Sequence, residues 1–308
     1  MRFNEGADLD TSDITDVRGS GGGGSFGGRG IAVGGGGLGL VGLVIVVLIN
    51  VLGGGSTTGS GSGVTGFGGI GQGRSANDAE LRQQCQSGKD ANNSEECAVV
   101  AEINSIQDYW GQILGNRYVR TDTVFFSGQV QTQCGNATSG SGPFYCPADQ
   151  LVYIDLTFFD TLKQQFGAQG GLFVDAYVLA HEYGHHVQNL LGTNQRVNPG
   201  DSGPTSGSVR LELQADCYAG VWANHAENVP TQTGKPLITD INQDDINRAL
   251  DAASRIGDDF IQRNIGGGRV DQNSFTHGTS AQRERWFTTG YRSGDPNQCD
   301  TFGTDDLG

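Results

Sequence analysis

Basic residues are scarce in this 308-residue chain: 19 Lys and Arg stand against 34 Asp and Glu, a formal net charge of −15. With no basic stripe to neutralise phosphates, the balance argues against a nucleic acid as partner. No phosphate-cradling loop occurs, and no internal repeat outside Gly-rich tracts. Charge of either sign is missing between Arg29 and Arg74. Cysteine is limited to Cys85, Cys97, Cys134, Cys146, Cys217 and Cys299, all beyond that uncharged stretch. An even set placed there fits disulfides formed in an oxidising compartment. Closeness in sequence suggests 85 with 97 and 134 with 146, leaving 217 for 299. Histidine is rarer still, at five residues, yet three of them fall within 181–186.

The first third of the chain differs in kind from the rest. Residues 1–30 are polar, Gly-rich and acidic, a composition that cannot bury a core and is expected to form a disordered cytoplasmic tail. The apolar run 38–52, extended back through glycines to Ile31, gives 22 uncharged residues, enough for a bilayer that needs about 20. Residues 31–52 therefore read as one transmembrane helix. Arg29 precedes the span and no basic residue follows until Arg74, which keeps the N-terminus inside and exports the remainder. A cleaved signal peptide is disfavoured by the long leader and the lack of an Ala-x-Ala site. Residues 53–73, almost all Gly, Ser and Thr, read as a flexible linker with ends roughly 25 Å apart. Residues 74–303 are long enough for one domain with its own core, and 304–308 form a short tail.

Within that domain, His181-Glu182-Tyr183-Gly184-His185 carries the chemistry. Residues four apart on a helix share a face, so the two imidazoles can grip one metal ion. Glu182 is then placed as general base toward a water at the metal. Apolar residues on nearly all sides of 172–180 make this a core helix, where an unpartnered carboxylate would be costly. A third ligand is required. The spacing that would supply a His downstream fails, because Gln188 and Leu191 stand where Gly and His belong. Glu212 is the better candidate, with Asp216 four residues on, both carboxylates on one face of a second, largely apolar helix. Glu212 completes the set, and Asp216 accepts the spare ring N–H of a ligand His. An exchange of these two roles is the main competing arrangement.

These segments, with Gly142–Pro147, Val152–Asp155 and Phe275–Gly278, resemble the bacterial putative neutral zinc metallopeptidase family, membrane-anchored zincins with a downstream Glu ligand. The likeness spans roughly residues 74–302 and implies a zinc peptidase without naming a substrate. Thr276–Arg283 further resembles a Thr-His-Pro segment of the CAAX-processing zincins, with Gly278 in place of Pro. That resemblance implies a catalytic role for His277 as an oxyanion donor, and an oxyanion or substrate contact for Arg283. His186 points away from the metal face and is expected to be a hydrogen-bonding neighbour.

The coarse pattern is a helix at 94–114, strands at 118–131 and 151–156, ligand helices near 171–190 and 208–226, and helices at 242–263 and 280–291. Between the strands, Cys134 to Cys146 looks like a disulfide-closed hairpin end. A few strands packed on helices, with the active helix after the sheet, make an α+β, zincin-like plan behind one transmembrane helix. The expected function is a membrane-anchored endopeptidase using one Zn²⁺ on extracytoplasmic peptides or proteins. An inactive zincin-like binding module and an amidase of cell-wall peptides are the rival readings. The lipid bilayer is the second expected partner.

Overall fold

The computed structural model describes residues 1–19, 70–198, 200–231 and 234–308. The expected span 31–52 lies outside them, and among the described residues no helix is long and apolar enough to cross a membrane. In chain order the strands are β1 (Arg2–Phe3), β2 (Ile14–Asp16), β3 (Thr123–Phe125), β4 (Gln129–Thr132), β5 (Gly135–Thr138), β6 (Phe144–Cys146), β7 (Leu151–Ile154) and β8 (Ile238–Thr239). The helices are α1 (Ile70–Gln84), α2 (Gly88–Ala91), α3 (Glu95–Leu114), α4 (Phe158–Gln164), α5 (Leu172–Leu191), α6 (Gly207–His225), α7 (Gln243–Arg255), α8 (Asp258–Asn264) and α9 (Ser280–Ser293). The architecture is α+β.

One sheet positions the site. Its order is β2-β3-β7-β6, with β2, β3 and β7 parallel and β6 antiparallel at the edge. Alternation along the strands splits its faces. Phe125, Val152 and Ile154 join the main core with α3, α5 and α6, while Val124, Phe144 and Tyr153 pack in a second cluster with Cys134 and Cys146. The expected strand 118–131 is in fact two. Gly128 takes a left-handed φ of 78°, and the chain leaves the sheet to form the β4–β5 hairpin. The expected helix 242–263 is also two, because the chain breaks at Ile256-Gly257. A Cβ on Gly257 would lie 2.4 Å from the backbone nitrogen of Ser280, so only glycine lets the break pack there.

The disulfides pair 85 with 97, 134 with 146, and 217 with 299, as closeness suggested.

Two corrections concern the chain ends. Residues 1–19, expected within a disordered tail, are folded onto the domain: β1 pairs with β8 and β2 with β3, burying Phe3, Ala7 and Ile14. Composition hid this because the few apolar residues, spaced among acids and glycines, each enter a different part of a core built by the rest of the chain. Residues 304–308, expected as a tail, fold back. Leu307 is buried, and its carbonyl accepts the Trp286 indole N–H at 3.1 Å. The linker is also shorter than expected, since α1 begins at Ile70.

Candidate metal centre

α5 carries His181, Glu182 and His185 on its inward face, and α6 crosses it closely enough to present Glu212. Gly184 permits that crossing: a Cβ there would lie 3.0–3.2 Å from Cα, O and Cβ of Ala215 on α6. Tyr183, the other residue inside the motif, anchors the helix to the sheet through its hydroxyl, 2.8 Å from Thr123 Oγ1. α6 is held against α9 in the same manner. Cβ atoms on Gly220 and Gly290 would fall 2.1 Å and 2.0 Å from the carbonyl oxygens of Phe287 and Cys217.

The resulting donor atoms converge. His181 Nε2 lies 3.2 Å from His185 Nε2 and 3.1 Å from Glu212 Oε2, and His185 Nε2 lies 3.5 Å from Glu212 Oε1. Ligands on a tetrahedral ion with bonds of about 2.0–2.1 Å sit roughly 3.3 Å apart. Two imidazoles and one carboxylate at that separation fit Zn²⁺ with one position left open. Among the described residues this is the one group of three metal-capable side chains so disposed.

A second layer fixes the two imidazoles. His181 Nδ1–H donates to Asp216 Oδ1 at 2.9 Å, which leaves the Nε2 lone pair for the metal. Asp216 is fully buried and also accepts from Tyr177 Oη (2.7 Å) and from Arg283 Nε (2.8 Å) and Nη2 (2.9 Å). Burial alone would raise the Asp216 carboxyl, yet Arg283 and His181 hold it at about 2. The same contact outweighs the lowering effect of burial on His181 and pushes it up to about 10. Glu212 is held well below the ordinary carboxylate range: burial opposes this, but His185 and His277 prevail. His185 Nδ1–H donates to Gln188 Oε1 at 2.9 Å, and Gln188 Nε2 donates to Leu211 O at 2.7 Å, which fixes the amide's orientation.

Glu182 lies outside that donor group. Its Oε2 accepts the Tyr145 backbone N–H of edge strand β6 at 2.9 Å, holding the carboxylate beside the metal position. Burial raises its pKa, with His181 and His185 pulling the other way. A cavity of about 370 Å³ opens at these residues, lined by His181, Glu182, His185 and Glu212, and His277 lines it as well. Asp258 Oδ2 accepts the backbone N–H groups of Thr276, His277 and Gly278 at 2.7, 2.7 and 3.0 Å, and its Oδ1 lies 3.4 Å from His277 Nδ1. Gly278 has φ +87°, which proline cannot adopt, so the departure from the Thr-His-Pro pattern has a backbone cause.

The expected residues His181, Glu182, His185, Glu212, Asp216 and His277 are thus brought together. Arg283 has a structural part that its spacing from His277 did not reveal. Only 2 % exposed, it directs its N–H groups to Asp216, the Tyr177 hydroxyl and the Ile256 carbonyl, so it holds the network, and it also lines the cavity at the ligands. His186 is the hydrogen-bonding neighbour expected: Nε2 lies 2.7 Å from Val119 O, and Nδ1 lies 3.1 Å from Tyr145 Oη. Four contributors were missed: Tyr177, Gln188, the Tyr145 amide and Asp258, whose pairing with Asp259 in sequence reads as surface charge although its carboxylate is buried under the His277 segment. Tyr177 and Gln188 stand four before His181 and three after His185, so helical spacing pointed to both. The Tyr145 amide acts through its backbone and left no trace in residue type.

The profile of the putative neutral zinc metallopeptidase family matches residues 1–302. The uncharacterized protein Rv2575 of Mycobacterium tuberculosis is 51% identical over 226 residues, covering 73% of this chain and 76% of its own length. The uncharacterized protein YpfJ of Escherichia coli K12 is 46% identical over 210 residues, covering 65% and 69%. No solved structure matches.

Proposed function

Because the chain belongs to the putative neutral zinc metallopeptidase family, we propose that it is a zinc-dependent endopeptidase acting on extracytoplasmic peptides or proteins. The observation that carries this reading is the donor set spaced 3.1–3.5 Å apart with Glu182 beside it. Bound there, Zn²⁺ supplies Lewis acidity toward a water and a scissile carbonyl. His181, His185 and Glu212 hold the ion, and Asp216 and Gln188 keep the two rings in the required tautomer. Glu182, steadied by the Tyr145 amide, takes the proton from the attacking water and returns it to the leaving amine. His277, with Nδ1 turned to Asp258, offers its other ring nitrogen toward the developing oxyanion. An extended peptide lies along β6, the sheet edge nearest Glu182, and pairs with it through main-chain groups. The three disulfides support an oxidising location for the domain. The apolar run 31–52 supports attachment to a bilayer.

Glu182→Gln tests the reading on the full chain with a mixed peptide substrate. Zinc content stays at one ion per chain while cleavage falls by about 10²–10⁴-fold, the range for loss of a general base. Undiminished cleavage in that variant removes Glu182 from its role. Wild-type chain that binds zinc and cleaves nothing favours the binding-module alternative.

A further inference from the structure

The two sides of the zinc position are unequal. On one side the cavity of about 370 Å³ runs from the ligands between α4, the first half of α5 and the α7–α8 turn. That volume lies within the range of about 300–1,000 Å³ typical of small-ligand pockets. Its far wall is Phe158, Phe166, Val178, Ile256 and Ile261, with Ser141 to Pro143 of the β5–β6 connection on the flank. The ionisable groups that line it are the zinc ligands, Glu182, Tyr177, His277 and Arg283, all at the metal end. On the other side, Glu182 and His185 also border a recess of about 20 Å³, closed by Tyr145, Pro147, Asn194 and Leu211. That space holds no more than a water or two.

The geometry points to a selective endopeptidase: one residue flanking the scissile bond is large and apolar, of the Leu, Phe or Met kind, and its neighbour across the bond is small. This rests on the peptidase reading above and gives it a substrate class. An acidic or basic side chain entering the large pocket leaves water for a wall whose polar side chains away from the metal end, Ser139, Ser141, Thr161 and Gln165, carry no counter-charge, and is rejected. A bulky side chain on the other flank meets Tyr145 and Leu211. Ile261, which is 8 % exposed and contributes no group to the metal or its second layer, is the residue through which pocket size can be changed.

The test uses the full zinc-loaded chain carrying Glu182→Gln, so that binding is read without cleavage. The probes are fluorescent peptides identical except at one position, occupied by Leu, Phe, Gly, Asp or Lys. Leu and Phe peptides bind at least tenfold more tightly than Asp and Lys peptides, the scale of discrimination an apolar pocket gives. Adding Ile261→Trp narrows the cavity and moves the preference at least tenfold toward Gly, with zinc content unchanged. Equal affinities across the series, a preference for charge, or an Ile261→Trp profile like its parent would each overturn the assignment. Cleavage sites are then mapped with the chain lacking Glu182→Gln. Apolar-selective binding without any cleavage leaves the pocket standing and sinks the peptidase reading alone. Cleavage without regard to the flanking residues sinks the pocket alone.

Discussion

Asp216 joins the metal centre to the fold, and its two duties can be separated by experiment. The side chain is fully buried and pairs with Arg283, itself 2 % exposed, through two bonds of 2.8 and 2.9 Å. Asp216→Leu leaves that guanidinium buried without its counter-charge, a loss of about 3–5 kcal/mol against a typical total of about 5–15 kcal/mol. Replacing both partners, Asp216→Leu with Arg283→Met, removes the orphaned charge. Stability then returns to within about 1–3 kcal/mol of the parent, the residue being the Tyr177 hydroxyl left without its acceptor. Unfolding is followed in denaturant with a chelator present, so that zinc does not enter the comparison. Zinc affinity, measured by competition, behaves differently: both variants lose about 10–100-fold, because His181 Nδ1–H has lost the group that orients it. A double variant that regains the parent's zinc affinity refutes the reasoning, since Asp216 would then act only by neutralising Arg283. A single variant that costs under about 1 kcal/mol refutes the buried-pair premise.

Zinc uptake is linked to protons. His181 is held up to about 10 by Asp216, and a ligand must surrender its proton, so affinity falls as pH falls below that value, by about tenfold per unit. Calorimetry at pH 7 in buffers of different ionisation enthalpy detects about one proton released per ion, and none released contradicts the assignment. Asp216 gives the opposite sign: its carboxyl is lowered from 3.8 to about 2, so its contribution of about 2 kcal/mol is present above pH 3.8 and is lost as pH falls through 2. Acid unfolding of the Asp216→Leu, Arg283→Met variant lacks that component. Gly184→Ala pushes α5 from Ala215 and lowers stability by about 1–3 kcal/mol; zinc affinity falls with it, and an unchanged affinity would show that helix spacing does not set the ligand geometry. Removing the 217–299 disulfide opens a separation of 82 residues and costs about 4.5 kcal/mol, against about 3 kcal/mol for the 134–146 pair with 12; equal losses in denaturant unfolding would contradict the loop-length argument.

The ligand set was legible because helical spacing is a local property: 181 with 185, and 212 with 216, share faces whatever the rest of the chain does. The choice between Glu212 and Asp216 was not local. It depends on where α9 delivers Arg283, whose charge claims Asp216 and leaves Glu212 for the imidazoles. The ion pair of Arg283 with Asp216 was hidden for the same reason, since the distance of Arg283 from His277 along the chain does not say which way the guanidinium turns. The break at Gly257 was hidden because apolar periodicity continues across it, and only the approach of Ser280 requires a glycine there. The Tyr145 amide escaped notice because any residue but proline could donate that bond.

The packing of residues 1–19 bears on the path of the chain. The backbone amides of Asn4, Leu9 and Val17 donate to carbonyls of Leu237, Gln86 and Phe125 at 2.8–3.0 Å, and the Met1 ammonium pairs with Asp245 at 2.5 Å. Burial of Phe3 and Ile14 adds about 1.5–3 kcal/mol each. None of this forms if a single crossing at 31–52 leaves residues 1–19 on one side of a bilayer and the domain on the other. Residues 19 and 70 are therefore expected on the same side of any bilayer. Single cysteines at Glu5 and Asp305, both exposed, test this in intact cells with a membrane-impermeant thiol reagent. Both label, or both are protected until the cells are opened. Labelling at 305 with protection at 5 would mean that β1 and β2 do not pair with the domain in the cell, and would restore a cytoplasmic N-terminus.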